Sequence, residues 1–275
     1  MPENVGSGLA RQAGLDVAYA QDDVDYIIFC DSDDLLLPRA VEVLTREIKA
    51  NNFDYLTSPV FAEQSNGPGI VIAAQQCLQW SHGKIYKKAF LQEQNIRFSN
   101  VIRYSEDSAF NLTVHYRSAK NGALNEYVCL WRANPKSVTR DTTHDFTRNG
   151  RWQYVYGQCE ALQNITKDKA EAPKELIATI KNIYEGYEKI FIEGENTEDK
   201  VRDKIKETLS MTKFVELFNN AEALKVFLPT LTQGYYTQDG NFNFFKHNFV
   251  EWCKELDLTE IYNYCKKYVY TKKRG

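Results

Sequence analysis

No stretch of the 275-residue sequence stays apolar long enough to span a bilayer. The opening Met1, Pro2, Glu3, Asn4 has neither the basic start nor the apolar core of a signal peptide. These two absences predict a soluble, cytoplasmic protein without a transmembrane segment. Cysteine is sparse, with six residues at 30, 77, 129, 159, 253 and 265 and no CxxC pair or other metal-ligand spacing. That excludes a zinc ribbon or a disulfide framework and reads as reduced thiols, with Cys30 and Cys129 inside strand-like apolar runs. Neither sign of charge dominates: 34 Lys and Arg against 37 Asp and Glu leave a formal charge of -3. There is thus no net pull toward nucleic acid or an anionic membrane, although a local basic patch is compatible with these totals. Internal repeats, low-complexity tracts and heptad series are also missing.

What remains is the composition of a folded protein, 43% hydrophobic and 13% aromatic, long enough for one large domain or a domain with an appendage. Leu9, Ala13, Val17 and Ala20 recur at helical spacing from Gly8 to Ala20, with Ser7 placed to cap the helix. Tyr26 to Cys30 is a continuous apolar run that predicts a strand buried on both faces, ending abruptly in Asp31, Ser32, Asp33, Asp34. Pro38 predicts a helix start, with Ala40, Val41, Leu44 and Ile48 on one face and Asn51 and Asn52 closing it. Tyr55 to Phe61 predicts the next strand, Asn66 to Gly69 a loop, Ile85 and Tyr86 a short strand, and Lys88 the start of a helix. Ser105 is placed to cap a helix through Glu106, Asp107, Phe110 and Val114, and Tyr127 to Trp131 predicts a last strand. Alternating helices and strands predict an α/β sheet with parallel strands, whose ligands gather at the strands' carboxyl ends, where the acids lie. After about residue 145 the pattern becomes helical, over 151–192, 197–228 and 242–270.

Two carboxylates one residue apart on a turn can reach one divalent cation, and hard oxygen ligands suit Mg²⁺ or Mn²⁺. Such an ion would neutralise the charge that gathers on a departing diphosphate. Acidic turns and helix caps use the same residues, so the cluster alone leaves both readings open. Asp107 falls in a helix's first turn, where the dipole favours an ionised carboxylate, a property shared by a catalytic base and by an acid that merely decorates the helix start.

Read together, the block Gly6, Ser7, Gly8, Leu9, Ala10, Arg11, Gln12, Ala13, Gly14 followed by Asp25 to Asp34 resembles family 2 glycosyltransferases. Gln12 stands where the family usually has Asn, and Cys30 where it usually has Leu. His82, Gly83, Lys84, Ile85, Tyr86 is similar to the family's GKxY segment, Ser105, Glu106, Asp107 with Phe110 to its ED motif, and Ser137 to Arg140 to a recurrent closing segment. The resemblance implies an incomplete GT-A (Rossmann-like) sheet over 1–145 and a mainly helical C-terminal region over 146–275 that binds acceptor or partners.

It implies an inverting, metal-dependent transfer from a UDP-linked nucleotide-sugar donor to a hydroxyl of a glycan or cell-envelope polymer. Asp31 and Asp33 would form the DxD element, with Asp33 the first choice for direct metal contact and Asp31 nearer the donor. Asp107 would be the base, Arg11 and Lys84 donor contacts, and His144 a further metal ligand. His82 would border the donor and acceptor sites. Family members carry a nucleotide-holding stretch ahead of the Gly6 block, so the resemblance leaves three expectations: a second chain supplying it, a homo-oligomer, or a truncated and inactive remnant, the first being preferred. Two other functions fit the same sequence: a non-catalytic scaffold or acceptor-binding subunit, and glycosylation of modified nucleic acid, which the acidic balance disfavours.

Overall fold

The computed structural model describes residues 5–63, 69–74, 78–134, 145–193, 198–231, 233–236 and 240–272. The chain divides into two compact units, Met1–Phe146 and Thr147–Gly275.

In the first unit the elements run α1 (Ser7–Tyr19), β1 (Tyr26–Ile28), β2 (Leu35–Leu36), α2 (Ala40–Asn51), β3 (Tyr55–Thr57), β4 (Val60–Glu63), β5 (Ile70–Ala74), β6 (Lys84–Lys87), α3 (Lys88–Glu93), α4 (Glu106–Arg117), β7 (Asn121–Ala123) and β8 (Cys129–Trp131). The main sheet has the order β1-β6-β3-β7. Here the expectation of parallel strands is corrected. β3 and β7 are parallel, but β6 lies antiparallel between β1 and β3, pairing Tyr26 with Lys87 on one side and Tyr55 with Tyr86 on the other. Side chains alternate across the sheet as strand geometry requires. Tyr55 and Tyr86 join Leu15, Ile27, Phe90, Phe98 and Phe110 in the core under α1, α3 and α4. Leu56 and Ile85 face the other way, into the core under α2 with Leu44 and Ile48.

Other boundaries move for local reasons. The strand expected over Tyr55 to Phe61 is cut after Thr57, because Pro59 has no N–H to give to a ladder. Ser58 N–H still donates to the Gly83 carbonyl at 2.8 Å, and the chain then enters a second sheet of order β2-β8-β4-β5. Helix α2 begins at Ala40, not at Pro38, since Leu35 and Leu36 first pair with β8 and Arg39 turns at φ 68°. Val43, not Val41, completes its buried face, and Val41 is 55% exposed. β1 is shorter than its apolar run: only Ile27 is buried, and Cys30 is exposed. Neither expected serine cap forms. Ser105 sits at φ 58° with no capping bond, and Ser7 is the first residue of α1 with its hydroxyl turned to Glu106.

The second unit is mainly helical: α5 (Asp145–Thr166), α6 (Ile177–Glu193), α7 (Glu198–Leu209), α8 (Thr212–Asn219), α9 (Ala221–Phe227), then β9 (Gly234–Tyr236), β10 (Phe242–Phe244), α10 (Phe249–Glu255) and α11 (Thr259–Lys272). Ile180, Ile183, Tyr184, Tyr187 and Ile190 recur at helical spacing and are at most 1% exposed, which makes α6 the central helix of this core. Trp252 is enclosed by Tyr184, Tyr187 and Phe249. Trp152 and Tyr156 share the ammonium of Lys200 at 4.9 and 5.4 Å from their ring centres. The antiparallel β9–β10 hairpin has β9 between the expected helices and β10 at the start of 242–270, which reads as helix in the sequence.

Candidate active site

The turn after β1 is closed by Asp34 N–H donating to the Asp31 carbonyl at 3.0 Å. It aims the four-residue acidic cluster in divergent directions. Asp34 is buried, its Oδ1 accepting from Arg132 N–H at 3.0 Å and its Oδ2 lying 2.8 Å from His82 Nε2. The same His82 nitrogen is 3.6 Å from Asp31 Oδ2. Asp33 points elsewhere and accepts from Asn134 Nδ2 at 2.9 Å. Among the described residues, Asp31, Asp34 and His82 thus form a group with one ligand atom each, all within 4.8 Å of one another. Two carboxylates and an imidazole are a donor set that fits a divalent cation such as Mn²⁺ or Mg²⁺.

His82 is set by its turn. Gly83 adopts φ 65°, and a Cβ there would come within 3.0 Å of the Ser58 carbonyl oxygen, so the tight approach of this turn to residue 58 suits glycine. The imidazole stands beside the Trp80 and Trp131 pair, with ring centres 6.5 and 5.9 Å away. Lys84, two residues on, is buried in β6, and its ammonium donates to the Trp80 carbonyl.

Arg11 links this turn to α4. Its Nη2 donates to Asp31 at 2.5 Å and its Nη1 to Glu106 at 2.6 Å. Ser7 Oγ donates to the same Glu106 oxygen at 2.5 Å. Gly8 makes room for this, because a Cβ there would stand 2.7 Å from Glu106 Cγ. Ser7, Gly8 and Arg11 therefore form a socket around one buried carboxylate.

Asp107 follows Glu106 in the first turn of α4, with its Oδ1 accepting from Ser108 N–H at 2.8 Å. Burial pushes its pKa up from 3.8 to about 6, with repulsion from Glu106 adding to the rise and Arg11, Ser108 N–H and His82 opposing it. The helix is fixed to the sheet below by Tyr86 Oη donating to Asn111 Oδ1 at 2.7 Å, while Asn111 Nδ2 donates to the Asp107 carbonyl at 2.8 Å.

The structure brings Arg11 and Asp31 into contact and places Asp107 within the electrostatic reach of Arg11 and His82. It does not bring Asp33 or Lys84 into that group, and His144 lies outside the described residues, as does the Ser137 to Arg140 segment. The partnerships of Asp34 and Glu106 escaped the sequence reading. Their partners are 48 and 95 residues distant in the chain, and both acids read equally well as a cap or a helix-start acid.

Comparisons with known proteins bear on this arrangement. The sequence model for Glycosyl transferase family 2 matches residues 1–121. An uncharacterized glycosyltransferase, EpsJ of Bacillus subtilis (strain 168), is 26% identical over 157 residues, a match spanning 50% of this chain and 44% of that protein. The crystal structure of S. aureus TarS 1-349 superposes with a TM-score of 0.56 at 12% identity, covering 98% of this chain and 73% of that one. The same TarS fragment in complex with UDP-GlcNAc gives a TM-score of 0.57 over 97% of this chain and 72% of that one, again at 12% identity. At such identity the likeness is one of fold, and the fold is the GT-A type followed by a mainly helical region. Over residues 1–121 the chain is therefore similar to glycosyl transferase family 2.

Proposed function

We propose that this chain is an inverting, metal-dependent glycosyltransferase, or the catalytic half of one, moving a sugar from a UDP-linked donor to a hydroxyl of a glycan or cell-envelope polymer. The observation that carries the reading is the convergence of Arg11, Asp31, Asp34 and His82 near a carboxylate, Asp107, whose pKa lies at about 6. The family match and the UDP-GlcNAc bound by TarS support the donor class.

A divalent ion, when bound, supplies positive charge to the diphosphate leaving group. Asp31, Asp34 and His82 would hold it as one set, and Asp33 of the DxD element, the first choice from the sequence, with Asp31 as the other. Arg11 is a donor contact: its two-pronged guanidinium can exchange a carboxylate for a phosphate oxygen pair. Asp107 takes the proton from the acceptor hydroxyl as that oxygen attacks the anomeric carbon opposite the leaving diphosphate. At neutral pH it is ionised, yet it is a stronger base than an ordinary carboxylate, which suits that task.

The test is transfer from UDP-GlcNAc and other UDP-sugars with Mn²⁺, Mg²⁺ or EDTA. Asp107→Asn should lower the rate by about 10² to 10⁴. Asp31→Asn should raise the metal concentration needed for half-maximal rate, and comparing Asp33→Asn with Asp34→Asn decides which ligand set operates. The anomeric configuration of the product, read by NMR, checks inversion. Unchanged transfer in Asp107→Asn, or full activity in EDTA, would sink the corresponding part of the proposal.

A further inference from the structure

The second unit carries a surface that the reaction chemistry leaves unused. Tyr236 and Phe242 are direct cross-strand partners on the β9–β10 hairpin, and Phe244 lies two residues on, so all three rings share one face. They are 74%, 41% and 71% exposed, and each adjoining pair has ring centres 5.0 Å apart. The rings meet at 63° and 86°, edge against face. Such mutual tilting builds a compact apolar knob and offers no flat, continuous ring surface on which successive sugar rings could stack. Exposed aromatic clusters of this kind mark interaction surfaces.

Phe244 also stands at the rim of a cleft of about 800 Å³ within this unit, lined by Lys246 from the strand's end, Lys254 of α10 and Lys266 of α11. The carboxylate lining that cleft, Glu251, is engaged by Asn248 N–H in a capping box at the start of α10. Ammonium groups therefore outnumber carboxylates along this cleft. In the sequence, residues 266–275 contain no acid and add Lys267, Lys272, Lys273 and Arg274. An exposed apolar aromatic face flanked by lysines is the chemistry of an interface with anionic lipid. No helix among the described residues is long and apolar enough to cross a membrane, so such contact would be peripheral.

We propose that the β9–β10 face, with Lys254 and Lys266 beside it, docks this protein onto an anionic lipid bilayer. The full chain should co-sediment with vesicles of phosphatidylcholine containing phosphatidylglycerol and stay in solution with vesicles of phosphatidylcholine alone. Phe244→Ser should weaken partitioning about tenfold through lost apolar burial. Lys254→Gln with Lys266→Gln should weaken it by at least as much and flatten its salt dependence. All three changes are at exposed positions and should leave thermal unfolding unchanged. Equal binding to both vesicle types, no binding to either, or anionic-vesicle binding indifferent to Phe244→Ser would overturn the proposal. So would sedimentation showing that the face pairs two copies of the chain and that these pairs ignore vesicles.

Discussion

As the proposed base, Asp107 would trade stability for chemistry. Its folded pKa of about 6 lies above the ordinary 3.8, chiefly through burial, so folding is helped by protonation: that stabilisation is complete below 3.8 and is lost as pH rises through about 6. At neutral pH the ionised group therefore costs up to about 3 kcal/mol. Asp107→Asn should raise the unfolding temperature at pH 8 and change it little at pH 4, while the activity of the wild type climbs with pH through a limb near 6. A mutant that melts lower at pH 8 than the parent would contradict the cost assigned to this carboxylate. The residues of the site were unevenly legible. Asp31, Arg11 and Asp107 stand in blocks whose wording carries them. Asp34 and His82 become partners only when β6 is laid beside β1, which no local pattern encodes.

The helix α1 shows why a short motif can have a physical cause. Its two glycines look alike in sequence but stand in different surroundings. Gly8 faces Glu106, pinned by Ser7 and Arg11, and a Cβ would come within 2.7 Å of its Cγ. Gly14 has nothing within 4 Å of an added Cβ. Gly8→Ala should cost about 1 to 3 kcal/mol through overpacking, whereas Gly14→Ala should add about 0.5 to 1 kcal/mol from helix propensity alone. Urea unfolding of the pair separates the two, and equal effects would show that the socket is not rigid. Long amphipathic helices such as α2 were readable from spacing. The break at Pro59 and the antiparallel β6 were not, because direction of pairing depends on partners far along the chain. The β9–β10 hairpin was missed because its three-residue strands are too short to establish an alternation against the helical stretches around it.

At the scale of the whole chain, each unit has its own core and its own buried polar lock. In the second unit the lock is Glu188, fully buried on α6, with His247 Nδ1 at 3.0 Å and His247 N–H donating to its other oxygen at 3.0 Å. Tyr184 Oη donates to the His247 carbonyl at 2.8 Å, so α6 holds the segment that leads into α10. His247→Ala would leave the Glu188 carboxylate with the backbone N–H as its remaining partner of these two, and stranding a buried charge costs about 3 kcal/mol or more. Two cores need not melt together. In calorimetry the substitution should lower one transition by many degrees. It should spare the transition that Mn²⁺ raises, because a ligand stabilises the unit that binds it. If the metal-responsive transition fell equally, the two units would unfold as one cooperative body, and the helical unit would be an integral part of the reaction centre's stability.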